Sequence, residues 1–325
     1  MLGGLAVLAW SSDVFVDGAA ALAKALGISP FIVGMVVIGF GTSAPELCVS
    51  TMSGLSGHAN LSLGNAYGSN IFNIAMILGV AALVFPLVVR PSVAFVAGPG
   101  LAAISLFSLW VLRDGACSRT DALSLIGAFL VVLPLYCWYD QKTGAGAKAG
   151  KPDDEGAKPG VWLSLAKIAA GLALLVGSSH VLVRGAVAFA KYMNVSDLAI
   201  GLTIVAAGTS LPELASAIAS ARRGEHEFVL GNIVGSNLFN TLAVVGLATA
   251  ISPALPGASG EPAFSPYVLT RDIPLMTALS LSITLFGANW RHPKWPGVVR
   301  RKEAWAWIAV FAAYTLLMFC QETGH

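Results

Sequence analysis

Charge is what this chain has least of. Asp, Glu, Lys and Arg make up only 11% of its 325 residues, where soluble domains carry about 25%. That shortage excludes a water-facing globule. Disorder is excluded too, because 56% of the residues are apolar and the mean hydropathy is +0.76. A net charge of +2 provides no basic face for nucleic acid. Cysteine is scarce: Cys48, Cys117, Cys137 and Cys320 lack metal-ligand spacing and are too few for a disulfide scaffold. What remains is an all-α polytopic membrane protein whose main partner is the lipid bilayer.

Apolar stretches separated by short polar joints predict ten helical spans, near 1–23, 30–56, 61–86, 92–112, 121–139, 161–190, 197–221, 228–252, 269–288 and 303–320. Each is near the roughly 20 residues that cross a bilayer. Asp13 and Asp17 interrupt the first stretch and no basic segment precedes it, so it reads as a span rather than a cleaved leader. The one long hydrophilic segment, 140–160, is rich in Gly and Lys and reads as a flexible linker. Residues 1–139 and 161–325 then form two five-helix halves. With the N-terminus outside, thirteen Lys and Arg fall on the cytoplasmic side and four on the outer side. The positive-inside rule therefore places both termini outside and the linker in the cytoplasm. Size and compactness suggest a plasma (inner) membrane, with the monomer as the working unit.

The sequence repeats itself at an offset of 167 residues. GTSAPEL (41–47) returns as GTSLPEL (208–214), and GNAYGSNIFN (64–73) as GNIVGSNLFN (231–240). Five spans per half is an odd number, so the second half must be inverted relative to the first. Inverted repeats are typical of secondary transporters, with the site near the midplane between the halves.

Glu46 and Glu213 fall about halfway along the second and seventh spans. A carboxylate at that depth costs a few kcal/mol and is a functional candidate by default. Thr42, Ser43 and Glu46 share a helix face by spacing, as do Thr209, Ser210 and Glu213. Ser69 and Asn73, and Ser236 and Asn240, stand at i, i+4 on the following helices. All of these side chains offer oxygen, which hard cations prefer. Pro45 and Pro212 each remove a helix hydrogen bond and free carbonyls around Gly41 and Gly208. Gly64, Gly68, Gly231 and Gly235 are expected to allow close helix contact. Two ionised Glu would balance one Ca²⁺, or two or three Na⁺ sharing the same oxygens. A site that holds one set or the other is the basis of antiport. Protons could also replace the metal on the carboxylates, so Ca²⁺/H⁺ exchange stands beside Na⁺/Ca²⁺ exchange as a reading. An intramembrane hydrolase would need an asymmetric nucleophile and base, and two nearly identical motifs argue against it. No cofactor is expected.

These paired motifs resemble the two alpha-repeats of sodium/calcium exchangers in the calcium/cation antiporter superfamily. The resemblance implies four cation sites among helices 2, 3, 7 and 8. It puts a central Ca²⁺ site on the carboxylates of Glu46 and Glu213 and the carbonyls of Thr42 and Thr209. An inner Na⁺ site would use Ser43, Ser69, Glu46 and the Gly39 carbonyl. An outer one would use Ser210, Ser236, Glu213 and the Ala206 carbonyl, with Asn73 and Asn240 flanking the middle. Helices 1 and 6 would slide past this core, and the family commonly exchanges three Na⁺ for one Ca²⁺. Some relatives carry Asp at one of the positions held here by Asn73 and Asn240. Amides at both leave a site charge of −2 and weigh against a K⁺ requirement. The linker is too short for the large Ca²⁺-sensing domains of animal relatives, so no such regulation is expected.

Other polar residues read as structural. Asp13 and Asp17 are assigned to local pairing or helix-end anchoring, His58, Glu225, His226 and Glu227 to solvated joints, and the tryptophans between 290 and 307 to interfacial anchors.

Overall fold

The computed structural model describes residues 2–143, 160–193, 206–256 and 262–323. It is mostly helical. The first half holds α1 (Leu2–Leu26), α2 (Pro30–Thr42), α3 (Ala44–Leu55), α4 (Ala59–Val84), strand β1 (Leu87–Val89), α5 (Val93–Val111) and α6 (Arg119–Lys142). The second holds α7 (Val161–Tyr192), α8 (Ala206–Thr209), α9 (Leu211–Arg222), α10 (His226–Ile251), α11 (Val268–Gly287), strand β2 (Gly297–Val299) and α12 (Arg301–Thr323).

Among the described residues seven helices are long and apolar enough to cross a membrane, and eight if α2 and α3 count as one span bent by 43°. The ten expected spans are therefore not all recovered by this criterion. α12 and the α8–α9 stretch do not meet it, and 194–205, where the seventh expected span begins, lie outside the described residues. So do residues 144–159 of the expected linker. α6 runs to Lys142, and Asp140, read as the first linker residue, is a buried part of that helix.

Local chemistry sets the helix ends. Ser29 caps α2, its Oγ accepting from the Ile32 amide at 3.2 Å, and Pro30 occupies the first helical position. A capping box starts α6. The Ser118 amide donates to Asp121 Oδ2 at 2.7 Å, and the Asp121 amide donates back to Ser118 Oγ at 3.3 Å. Gly57 and Gly224, repeat partners with φ of 76° and 72°, follow the ends of α3 and α9.

α10 lies at the centre, buried along its whole apolar window, while α6 and α7 turn most of theirs outward. Exposed Leu123, Leu130, Val131 and Leu135 on α6 suit a helix facing lipid. α1 packs along α7, where a Cβ on Gly171 would come within 2.8 Å of the Phe15 backbone.

The joints gather at two ends of the bundle. At one, β1 pairs antiparallel with β2. There Arg90 binds both Asp140 and Glu227 at 3.0 Å, and Ser29 donates its hydroxyl to Asp140. Arg223 holds Asp13 and Asp17 of α1 at the same end. At the other, the Cys117 amide donates to the Ala254 carbonyl at 2.7 Å and the Ala263 amide to the Gly115 carbonyl at 2.8 Å. Glu227 is thus not the solvated joint residue expected, because Arg90 draws it against the bundle. Trp307 is fully buried, its indole donating to Ser282 Oγ at 2.6 Å, and is no interfacial anchor.

Candidate cation site

Two helix breaks build the site. Ser43 separates α2 from α3 at φ −83°, ψ 6°, and Ser210 separates α8 from α9 at φ −93°, ψ 10°. Both sit in the sparsely allowed bridge region. The following prolines, Pro45 and Pro212, occupy the first turns of α3 and α9. They cannot complete the preceding helix, but their missing amide costs nothing in a first turn. Each break therefore restarts a helix, and Glu46 and Glu213 fall in the restarted first turns. Unpaired amides and the helix dipole favour negative charge there. Of the carbonyls released near the breaks, Gly208 O accepts from Ser179 Oγ of α7 at 3.0 Å.

Glycine brings the partner helix close. A Cβ on Gly235 would lie 2.1 Å from the Met35 carbonyl oxygen, and one on Gly231 2.4 Å from that of Phe31. Only a hydrogen fits at either place, so α10 meets α2 backbone to backbone, as expected for these two glycines. The same contact for Gly64 and Gly68 would fall to the repeat's counterpart of that stretch, 198–202, outside the described residues.

Glu46 and Glu213 have no solvent exposure. Their hydrogen bonds cross between the halves. Ser43 Oγ donates to Glu213 Oε1 at 3.1 Å, and Ser210 Oγ donates to Glu46 Oε1 at 3.0 Å. Ser69 Oγ reaches Glu46 Oε1 at 3.4 Å, and Ser236 Oγ reaches the Gly39 carbonyl at 3.3 Å. Two groups result, one with Ser43, Glu213, Ser236 and Gly39, the other with Ser210, Glu46 and Ser69. The resemblance had grouped Ser43 with Glu46 and Ser210 with Glu213. The structure exchanges these partners, because the breaks lie side by side and each serine faces the opposite carboxylate. Thr42 closes α2, its hydroxyl 3.0 Å from the Ile38 carbonyl. Thr209 closes α8 and Ala206 opens it.

α4 and α10 each widen into a π-helical turn, over Asn73–Leu78 and Phe239–Val244, so that both flanking amides sit at a widened turn. Asn73 donates to Asn237 Oδ1 at 3.0 Å. Buried atoms without a hydrogen-bond partner among the described residues include Glu46 Oε2, Glu213 Oε2, Asn73 Oδ1 and both polar atoms of the Asn240 amide. An orphaned buried oxygen typically costs about 1–3 kcal/mol. Among the described residues four of the six orphaned buried oxygens fall on residues expected to be ligands, the other two on Asn70 and Glu227. Among the described residues no three of His, Cys, Asp and Glu come together, so the cluster offers hydroxyl, amide and carboxylate oxygen.

Several polar partners escaped the sequence reading. Asn65 donates to the Glu46 carbonyl at 3.1 Å and to Ser50 Oγ at 2.9 Å. Asn232 binds Ser216, Thr42 and Ser236. Asn70 donates to Thr241 Oγ1 at 2.7 Å. Their signal was present: Asn65, Asn70, Asn232 and Asn237 all stand inside the duplicated GNxxGSNxFN motif.

Known proteins of similar sequence and shape fit this description. A putative antiporter, CaxA, of Alkalimonas amylolytica is 36% identical over 98% of this chain and 97% of its own length. The sodium/calcium exchanger MaX1 of Methanosarcina acetivorans is 28% identical over 92% of this chain and 93% of its own. The sodium-calcium exchanger NCX_Mj, soaked with 2.5 mM Na⁺ and 0.1 mM Ca²⁺, superposes with a TM-score of 0.78 at 26% identity, over 98% of this chain and 96% of that one. The class is that of membrane-embedded cation/Ca²⁺ antiporters. The chain belongs to the sodium/calcium exchanger protein family, whose profile matches residues 1–138 and 163–320.

Proposed function

We propose that this protein exchanges Na⁺ for Ca²⁺ across the plasma (inner) membrane by alternating access. The observation that carries the reading is the crosswise pairing of Ser43 with Glu213 and Ser210 with Glu46. It joins both carboxylates in one buried cluster and leaves one oxygen of each without a partner. Such oxygens suit a dehydrated hard cation.

In this reading Ca²⁺ takes the carboxylates of Glu46 and Glu213 with the carbonyls of Thr42 and Thr209. Na⁺ takes the two crosswise groups, Ser43, Glu213, Ser236 and the Gly39 carbonyl at one end, and Ser210, Glu46, Ser69 and the Ala206 carbonyl at the other. Asn73 and Asn240 flank the middle. Two sets of ions competing for the same oxygens couple their movements. If three Na⁺ exchange for one Ca²⁺, one net charge moves per cycle, and the membrane potential contributes about 2.3 kcal/mol per 100 mV.

The proposed architecture is ten crossings in two inverted halves, 1–139 and 161–325, joined by the cytoplasmic 140–160 segment, with both termini outside. Its support is the clustering of joints at two ends, since the end that holds Arg90, Arg223 and β2 is also the one richer in basic residues. No cofactor enters the cycle, and one chain holds all the proposed ligands.

The test is Ca²⁺ uptake into proteoliposomes of purified protein under an outward Na⁺ gradient, an outward proton gradient, or neither. Uptake driven by Na⁺ is expected. Uptake driven only by protons would replace the reading with Ca²⁺/H⁺ exchange, and uptake needing neither gradient would make the protein a channel.

A further inference from the structure

We infer that Asn232 is a positioning residue for the Na⁺ end of the site formed by Ser43, Ser236, Glu213 and Gly39. Its side-chain oxygen is the acceptor to which Ser236 turns its proton when a cation binds, with the Thr42 hydroxyl beside it. The inference rests on the exchange reading above and deepens it.

Asn232 is buried on α10, at 1% exposure. Its Oδ1 lies 3.3 Å from both Thr42 Oγ1 and Ser236 Oγ. Each of these hydroxyls has a single proton and a second acceptor within reach. For Ser236 that is the Gly39 carbonyl, also at 3.3 Å, and for Thr42 the Ile38 carbonyl at 3.0 Å. A hydroxyl cannot aim its proton at Gly39 O while both oxygens coordinate one cation. The proton must turn elsewhere, and Asn232 Oδ1 stands at the same distance. An amide oxygen has two lone pairs, so it can take the protons of both hydroxyls at once.

The amide's orientation is set from behind. Ser216 Oγ gives its one proton to the Glu213 carbonyl at 3.0 Å, so it accepts from Asn232 Nδ2, also at 3.0 Å. The NH₂ group is thereby held on Ser216 and the oxygen turned to Thr42 and Ser236. Gly39 is pressed onto the same turn of α10: a Cβ there would meet the Ser236 amide nitrogen at 2.9 Å and the Asn232 carbonyl oxygen at 3.1 Å. The repeat partner, Asn65, spends its NH₂ on the Glu46 carbonyl and Ser50. Asn232 stands beside the Ser236 and Gly39 end of the site, so its effect is directed there.

The experiment compares Asn232→Leu, which fills similar volume without an acceptor, with Asn232→Asp, which keeps the oxygen, in the full chain in proteoliposomes. Na⁺-dependent Ca²⁺ exchange is measured against Na⁺ and against Ca²⁺ concentration. The leucine variant is expected to raise half-saturating Na⁺ about tenfold, the scale of one hydrogen bond in a charged setting. Its maximal rate and half-saturating Ca²⁺ stay within about twofold of wild type, and the aspartate variant restores the Na⁺ dependence. Asn232→Ala serves in the same comparison should the leucine variant not reconstitute. An unchanged Na⁺ dependence in the variant without the oxygen would overturn the inference. So would equal impairment of the leucine and aspartate variants, which would make Asn232 a packing residue. A wild type that ignores Na⁺ would instead remove the exchange reading itself.

Discussion

Ser43 and Glu213 are hydrogen-bonded at 3.1 Å across 170 residues of sequence. Ser43 is nearer in sequence to Glu46, yet it serves the carboxylate of the other half. The mirrored bond, Ser210 to Glu46 at 3.0 Å, makes this a property of the repeat.

A double-mutant cycle would register that crossing. Ser43→Ala and Glu213→Asp should couple by about 0.5–3 kcal/mol in ion affinity, the range for residues in contact. Ser43→Ala and Glu46→Asp should come closer to additivity. The measurement is half-saturating Na⁺ and Ca²⁺ for singles and doubles, and the reverse order of couplings would contradict the pairing.

Neutralising either carboxylate removes half of the proposed site charge. Glu46→Gln or Glu213→Gln is expected to lower exchange at least about 100-fold, since hard cations depend on anionic oxygen. Melting temperature should hold or rise, because an unpaired buried charge is lost. Full transport by both variants would remove them from the site.

Gly235→Ala places a methyl group where the Met35 carbonyl stands 2.1 Å away. The backbone cannot yield cheaply, so a loss of about 1–3 kcal/mol is expected, as for other overpacked positions. Gly127→Ala, on α6 with nothing within 4 Å among the described residues, should be neutral or gain up to about 1 kcal/mol. Thermal unfolding in detergent separates the two.

Arg90 and Asp140 form a buried pair, with side-chain exposures of 14% and 3%. Asp140→Ala strands the guanidinium and takes away the Ser29 hydroxyl's acceptor. Breaking such a pair costs about 3–5 kcal/mol, and the loss here should fall below that because Arg90 keeps Glu227. Asp140→Asn should cost less, since the amide oxygen still accepts from Ser29. Unfolding midpoints of the two variants decide it.

Arg223 offers the opposite case. It clamps Asp13 and Asp17, but all three side chains are 31–53% exposed. Water and salt screen them, so Arg223→Gln should change stability by less than about 1 kcal/mol. A larger, salt-insensitive loss would mean that the clamp is dry.

Much of this was legible in the chain because a bilayer leaves few choices. Backbone groups must be satisfied locally, so apolar stretches of fixed length become helices. Pro45 was read as loosening a span from within, and the structure restarts a helix there. Ser69 was expected beside Glu46, and the two are linked. Asp13 and Asp17 are paired, but by Arg223 from a joint distant in sequence rather than locally. Asn65 and Asn232 were visible in the motif, but composition could not tell a residue that faces the cluster from one that orients its neighbours. Trp307 was misread because a tryptophan at a helix start suits an interface and a core equally well until its neighbours are known.

By itself the amino-acid order determined that this is a helical membrane protein with two related halves, and that a proline precedes each of its two mid-span glutamates. Those features are encoded in apolar runs of about 20 residues, in single prolines and in a motif that returns along the chain. The tertiary structure alone decided which serine meets which glutamate, and that Asn232 faces Thr42 and Ser236. Those contacts depend on how closely α10 can approach α2 and how the two breaks lie side by side, which is set by packing between helices and not by spacing along either one.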